Sequence, residues 1–401
     1  MTRARKHVAI VGAGIGGLAA AVALARRGVA AEVYEQAPDL RELGVGVHLA
    51  ANGSRILQRW GLGQPVGAVA VRPEALEVRD ALDGRVLVRQ PMGAAWAADL
   101  GAPYYTVNRS DLHRVLAAQL PPGRLHLCRR LAGFRNRPDR VTLTFADGGT
   151  VEAAVLVAAD GAHSRVRREV AGHERAVFSG KSAFRGLVPT AAVPGLSPGE
   201  MYVWTGGDKR LLCYPVASGR FFTFVGIVPD RRWQTESWTT PGDPDELRAA
   251  FAGWTGEVTA ILAAVSETRR WALYDREPLD RWGGGRYTLL GDAAHPMLPH
   301  HGQGVSQALE DAEALAHFLA LGGDWVRALR RYEELRRPHT AQVQLGSRES
   351  GTLRLRAAAM AASPAAAGAR EHPSGAMSAM VDDVSWVQRH DIGHELVEAE
   401  L

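Results

Sequence analysis

Apolar and polar positions along this chain fall into two rhythms that divide it by class of structure. Residues 7–11 (HVAIV) form an unbroken apolar run, which predicts a strand buried on both faces. A glycine turn at 12–17 follows. The Ala/Leu-rich stretch 18–27 predicts a helix, stopped by Gly28. Residues 31–35 (AEVYE) predict a second strand and complete a βαβ unit. A helix is expected over 52–60 and a hairpin over 76–90, turning at Asp83-Gly84. Another helix is expected over 109–120, with Ser110 as its N-cap. Strands are predicted over 141–145 and 150–158. From about 172 to 280 strict alternation takes over, as in 211–216 and 221–228. Trp204, Trp233, Trp238, Trp254 and Trp271 are scattered through it. A mainly antiparallel sheet with a helix near 244–254 is expected there. A strand over 287–290 leads to a helix from Gly304. Its apolar positions Val305, Ala308, Leu309, Ala312, Leu315, Ala316 and Leu319 make one buried face. Beyond Pro338 the chain turns Ala-rich, and 357–379 reads as low in complexity and partly mobile.

Composition narrows the classes. With 401 residues, 46% hydrophobic and 22% charged, the chain can build ample core, and two domains are expected. The net charge of +4 is small, and the arginines are interleaved with acids, so no nucleic-acid partner is expected. A mild positive field suits an anionic small molecule or cofactor phosphates. Cys128 and Cys213 cannot make a disulfide framework or a cysteine-based zinc site, and no metal is expected. There is no 18-residue apolar run to span a membrane and no apolar leader at 1–7, so the expected location is cytoplasmic.

Three separated motifs carry the chemistry. Gly12, Gly14 and Gly17 complete G-x-G-x-x-G between a strand and a helix. They provide a tight turn, close backbone approach to a pyrophosphate, and close packing of helix on strand. The helix N-terminus then presents free N–H groups to phosphate. Glu35 ends the next strand, where a carboxylate accepts from ribose hydroxyls and disfavours a 2′-phosphate. The second motif is Asp160-Gly161 with Arg165 and Arg167 behind it. The third is Gly291-Asp292, running through Pro299, Gly302 and Gly304 into a helix.

On these motifs the chain resembles the FAD-dependent aromatic hydroxylases of the para-hydroxybenzoate hydroxylase class. Residues 44–52 (GVGVHLAAN), 106–113 (TVNRSDLH) and 291–304 (GDAAHPMLPHHGQG) point to its salicylate hydroxylase and 6-hydroxynicotinate 3-monooxygenase branch. The resemblance implies an α/β fold. A Rossmann-type FAD-binding domain would take 1–75, 100–171 and 281–345, and a mainly antiparallel β-sheet substrate domain 76–99 and 172–280. A C-terminal helical segment would take 346–401. It implies non-covalent FAD held by Gly12, Gly14, Gly17, Glu35, Arg41, Arg109, Asp160, Asp292, Gly302 and Gly304. It implies hydroxylation of a small phenolic or heteroaromatic acid through a flavin C4a-hydroperoxide, with NADH or NADPH as transient donor and O₂. Decarboxylation is open, as is assembly as a monomer or homodimer.

The same resemblance assigns His48, Tyr214 and His300 to catalysis; Arg210 and Pro299 are expected to bind substrate. Arg210 stands where the hydroxynicotinate branch has a histidine, and about Met201 where it has a cysteine, so a different substrate is expected. Arg210 would face a substrate carboxylate. Cys213 is expected to be an inert buried thiol turned away from Tyr214, and His295 and His301 to serve packing. The competing reading is a flavin-dependent oxidase, epoxidase or halogenase. The halogenase Trp-x-Trp-x-x-Pro pattern is absent from the sequence.

Overall fold

The N-terminal apolar run becomes strand β1 (Val8–Val11), buried along its whole length. It pairs in parallel with β2 (Ala31–Tyr34) on one side and Val155–Ala158 on the other. The structure, a computed structural model, describes residues 7–40, 44–172, 176–230, 240–361 and 385–400, with backbone alone over 349–361. The β1 sheet has six strands, in the order Gly283–Gly284, Tyr287–Leu289, Val155–Ala158, β1, β2, Leu125–His126. Only the Gly283–Gly284 hairpin is antiparallel. Helix α1 (Ile15–Arg26) follows the glycine turn directly, three residues ahead of the predicted start.

Strand β3 (Gly46–Leu49) pairs with Tyr105–Asn108 and leads into helix α2 (Ala51–Arg59). The alternating middle of the chain forms an eight-stranded sheet. Its order is Pro241–Gly242, Thr268–Asp275, Val177–Pro189, Phe221–Pro229, Lys209–Val216, Glu200–Gly206, Ala75–Asp80, Val86–Pro91. All neighbours are antiparallel except Glu200–Gly206 with Ala75–Asp80. Side chains alternate across such a sheet. Leu211 and Cys213 therefore join Trp204, Phe224, Leu247 and Ile261 in a core beneath two short helices, Pro244–Ala250 and Gly256–Ala263. Tyr214 faces the other way, with Met201, Tyr104 and Ala50. The molecule is thus mixed α/β, as the hydrophobic rhythms predicted.

Several expectations are corrected. Asn108, not Ser110, caps the helix Arg109–Ala117; its side chain accepts from the Ser110 N–H. The predicted strand 150–158 is two strands in different sheets, because Thr150–Ala153 pairs with Val141–Phe145 and Val155–Ala158 with β1. The Ala-rich stretch after Pro338 opens inside a helix, Trp325–Ala361, that contains this proline. Of the low-complexity stretch, 362–379 lies outside the described residues.

The largest departure concerns the helix Gly304–Ala320. One buried face was expected, but the helix is buried nearly all round, charged residues included. It packs on α1 and α2. Its carboxylates each find a partner. Glu310 pairs with Arg336 at 2.7 Å, and both side chains are fully buried. Asp311 accepts from Arg336 Nε (2.9 Å), His295 Nε2 (2.6 Å) and the Gly291 N–H (3.0 Å). Glu313 holds Arg27 (2.7 Å) and the Trp60 indole N–H (2.8 Å). Burial alone would raise the Asp311 carboxyl, but the His295 and Arg336 charges outweigh it and pull it down to about 2.

Removing one member of a buried ion pair strands the other. Arg336→Met should therefore destabilise the protein by about 3–5 kcal/mol, read by urea unfolding. A loss under about 1 kcal/mol would show that these charges are not mutually dependent. The folded carboxyl of Asp311 lies below its ordinary 3.8, so its share of stability is present above that pH and lost as pH falls towards about 2.

Candidate active site

The three glycine-bearing motifs meet at the carboxyl ends of β1 and its neighbours, where open α/β sheets bind ligands. Gly12 has φ +97°, a conformation that favours glycine, and a Cβ there would lie 2.4 Å from the Ala159 carbonyl oxygen. A Cβ at Gly17 would fall 1.9 Å from the Gly12 oxygen. These two glycines serve packing of backbone on backbone. Gly14 differs, since a Cβ there would meet only the Arg109 guanidinium, at 3.9 Å. Glu35 accepts from the Ala13 N–H (2.7 Å) and the Ala37 N–H (2.8 Å), which sets its carboxylate at the turn. The buried ring of His113 donates to the Ala13 carbonyl (2.6 Å) and pins the Arg109 helix against the same loop.

The other motifs close the ring. The Asp160 carboxylate accepts from the Arg165 N–H (2.8 Å), while its second oxygen is buried without a hydrogen-bond partner. Burial pushes its carboxyl up, against the pull of Ser164 and the Arg165 N–H. Arg167 donates to the Ala293 (3.1 Å) and Ala294 (2.7 Å) carbonyls, tying the second motif to the third. Asp292 is exposed beside the Gly304 helix start, with protein packed behind it. That desolvation raises its carboxyl against the charges of His295 and Arg109. Gly304 lies beside it, and a Cβ there would be 3.8 Å from Asp292 Oδ1. Neither α1 nor the Gly304 helix has a side-chain N-cap, so both present free N–H groups and a positive dipole end. A dinucleotide fits this donor set: open glycines, two uncapped helix starts, an arginine, and carboxylates with oxygens to spare. Arg41 lies outside the described residues.

Beside this cradle, His48 on β3 is flanked from three directions. Its ring centroid is 4.3 Å from that of Tyr214, and its Nδ1 shares a 2.8 Å hydrogen bond with the Tyr104 hydroxyl. A Cβ at Gly302 would touch its ring at 3.2 Å. Gly46 allows β3 to approach the middle sheet, since a Cβ there would meet Tyr214 at 2.6 Å. Burial lowers His48 to about 4 and pushes the Tyr214 phenol well above its ordinary value. Both are neutral across the neutral range. Arg210 shares the Tyr214 face of its strand by the two-residue period and contacts His300 Nδ1. The neighbouring His301 turns away, against Gly346 of the long helix. Pro299 is exposed on the same loop.

Sequence reasoning missed Tyr104, Arg185 and Asn52. Arg185 lies over the Trp271 ring at 5.0 Å and is lowered to about 10, by burial first and then by Arg109. Asn52 donates to Gln303 (3.1 Å) and Glu310 (2.7 Å), linking α2 to the Gly302 turn. The segment 44–52 carried the signal for Asn52. Nothing local marked the other two.

A Rossmann-type sheet closed by three motifs around a dinucleotide cradle, with an aromatic pocket against a second sheet, defines a flavoprotein hydroxylase. The chain belongs to the FAD binding domain family, whose pattern it matches over residues 5–346. It is 43% identical to a 3-amino-4-hydroxybenzoate 2-monooxygenase of Streptomyces platensis over 349 residues, covering 86% of this chain and 88% of the relative. It is 38% identical to a 6-hydroxynicotinate 3-monooxygenase of Bordetella bronchiseptica over 354 residues, covering 87% and 92%. Among solved structures, a salicylate hydroxylase substrate complex matches with TM-score 0.81 and 30% identity over 98% of each chain. The protein is an FAD-dependent aromatic monooxygenase. No described helix is long and apolar enough to cross a membrane.

Two glycines separate packing from binding. Gly17→Ala should lower the melting temperature sharply, because its Cβ has no room. Gly14→Ala should leave the cofactor-free melting temperature nearly unchanged but weaken FAD binding at least about tenfold, about 1.4 kcal/mol. Equal effects on both measurements would refute the distinction. In the substrate-free protein, imidazole NMR should place the His48 midpoint near 4; a midpoint above 6 would contradict the burial argument.

Proposed function

We propose that the protein hydroxylates a small phenolic acid, an aminohydroxybenzoate or a close hydroxybenzoate or hydroxynicotinate analogue. FAD bound in the cradle supplies the redox chemistry, accepting electrons from NADH or NADPH and activating O₂. The observation that carries the reading is the juxtaposition at His48, where a neutral imidazole, two phenols and the Gly302 turn converge. The relatives named above supply the substrate class. The cofactor roles of Gly14, Glu35, Arg109, Asp160, Asp292, Gly302 and Gly304 belong to the same proposal, with Gly12 and Gly17 shaping the turn that receives the cofactor.

Each residue has a distinct task. His48, held neutral by burial, accepts the hydrogen bond of the ring hydroxyl and shares the proton with Tyr104. An electron-rich ring is what an electrophilic oxygen requires, so this contact activates the substrate. Tyr214 keeps its proton and donates to the substrate. The apolar shell of Ala50, Met92, Met201 and Val216 around it excludes water, which guards activated oxygen against loss as peroxide. Arg210, beside His300, pairs with the substrate carboxylate, and its fork geometry suits that anion. Pro299 lines the entrance from the same loop.

The proposal is tested by anaerobic flavin reduction with NADH and a panel of phenolic acids, then product analysis under air. If no acid speeds reduction or is hydroxylated, the substrate class is wrong. Arg210→Gln should raise KM for the acid by about 10- to 100-fold, the worth of a charged hydrogen bond, with a smaller change in kcat. It should leave binding of the carboxylate-free phenol unchanged. Tyr214→Phe should act mainly on kcat.

A further inference from the structure

Away from the flavin cleft, three ligand-type side chains from distant parts of the chain converge in the interior. Glu310 comes from the Gly304 helix, His339 from the helix Trp325–Ala361, and His390 from the C-terminal segment 385–400. One ligand atom from each lies within 4.8 Å of the others. His390 Nδ1 is 3.1 Å from Glu310 Oε2, and His339 Nε2 is 3.8 Å from the same oxygen. None of these three atoms makes an aligned hydrogen bond, although Glu310 is fully buried. The two imidazoles stack with centroids 3.8 Å apart.

The surroundings are those of a metal shell. His390 presents its other nitrogen to Glu395 Oε1 at 3.0 Å, the outer carboxylate that orients a ligating imidazole. Zinc bonded at about 2.0–2.2 Å to nitrogen and oxygen separates tetrahedral ligand atoms by roughly 3.3 Å, close to the 3.1 Å between His390 and Glu310, so His339, at 3.8 Å, would move in on binding. Glu310 Oε2 is flanked by Arg336 at 2.7 Å, which occupies one side of the oxygen and leaves its other lone pair available. Arg336 also bonds Asp311, which His295 holds from its other side.

We propose that Glu310, His339 and His390 form a structural site for a divalent transition metal of the zinc class, with water in the fourth position. The site staples the C-terminal segment to the flavin-binding domain. Sequence reading expected no metal, since it looks for motifs at short spacing.

The test titrates Co²⁺ into chelator-treated, full-length holoprotein and reads the ligand-field bands to the red of the flavin spectrum. One ion per chain should bind, be displaced by Zn²⁺, and raise the melting temperature. His339→Ala and His390→Ala should each abolish the bands, with bound flavin reporting that the variants remain folded. Glu395→Gln should weaken affinity about tenfold through the outer shell. The proposal is overturned if wild-type protein shows no bands at pH 8 to 9, or if they persist in both histidine variants.

Discussion

Three carboxylates on one buried helix hold this molecule together. Glu310, Asp311 and Glu313 lie within four residues of one another, inside the protein rather than on its surface. A buried charge is tolerated only when it is paired and hydrogen-bonded. Each of these therefore dictates where a distant element must stand. Asp311 fixes His295 and the Gly291 N–H, Glu313 fixes α1 through Arg27, and Glu310 fixes α2 through Asn52 and the long C-terminal helix through Arg336. Misplacing any of them would leave a charge stranded, so the arrangement is specific as well as stable.

The geometry of the candidate site follows from that anchoring. The Gly291-Asp292 loop is held from behind by Asp311 and from the side by Arg167, so the Asp292 carboxylate stays in the cleft instead of collapsing onto the helix. The Gly302 turn is held through Gln303 and Asn52, and His48 sits directly on that turn. The cradle and the aromatic pocket are therefore two faces of one loop. The Gly302 turn is thus fixed by a hydrogen bond made one residue away from it, at Gln303.

The two faces of the middle sheet show how a strand serves core and site together. Alternation turns Leu211 and Cys213 into one core and Arg210 and Tyr214 towards the cleft. Cys213 is held as a thiol by burial, which pushes it up and leaves it inert. Tyr214 is buried equally deeply, but it faces a histidine rather than aliphatic carbon, and the same desolvation that silences the thiol keeps the phenol a donor.

Much of this was legible in the chain itself, wherever the requirement was local. A glycine demanded by backbone approach, a carboxylate ending a strand, and a two-residue alternation each depend on near neighbours, so β1, the glycine turn and both faces of 211–216 could be read directly. Ser110 was misjudged because Asn108 offered a competing cap two residues away. The strand 150–158 was misjudged because strand character does not say which sheet a strand joins. Tyr104 and Arg185 carried no local mark. Their meaning comes from His48 and Trp271, 56 and 86 positions away in sequence. The sequence by itself determined β1 and the glycine turn after it, the cofactor motifs and the alternation of the middle strands. Only the tertiary structure decided which buried charge meets which partner, because pairing energies act across space and burial is a property of the whole fold.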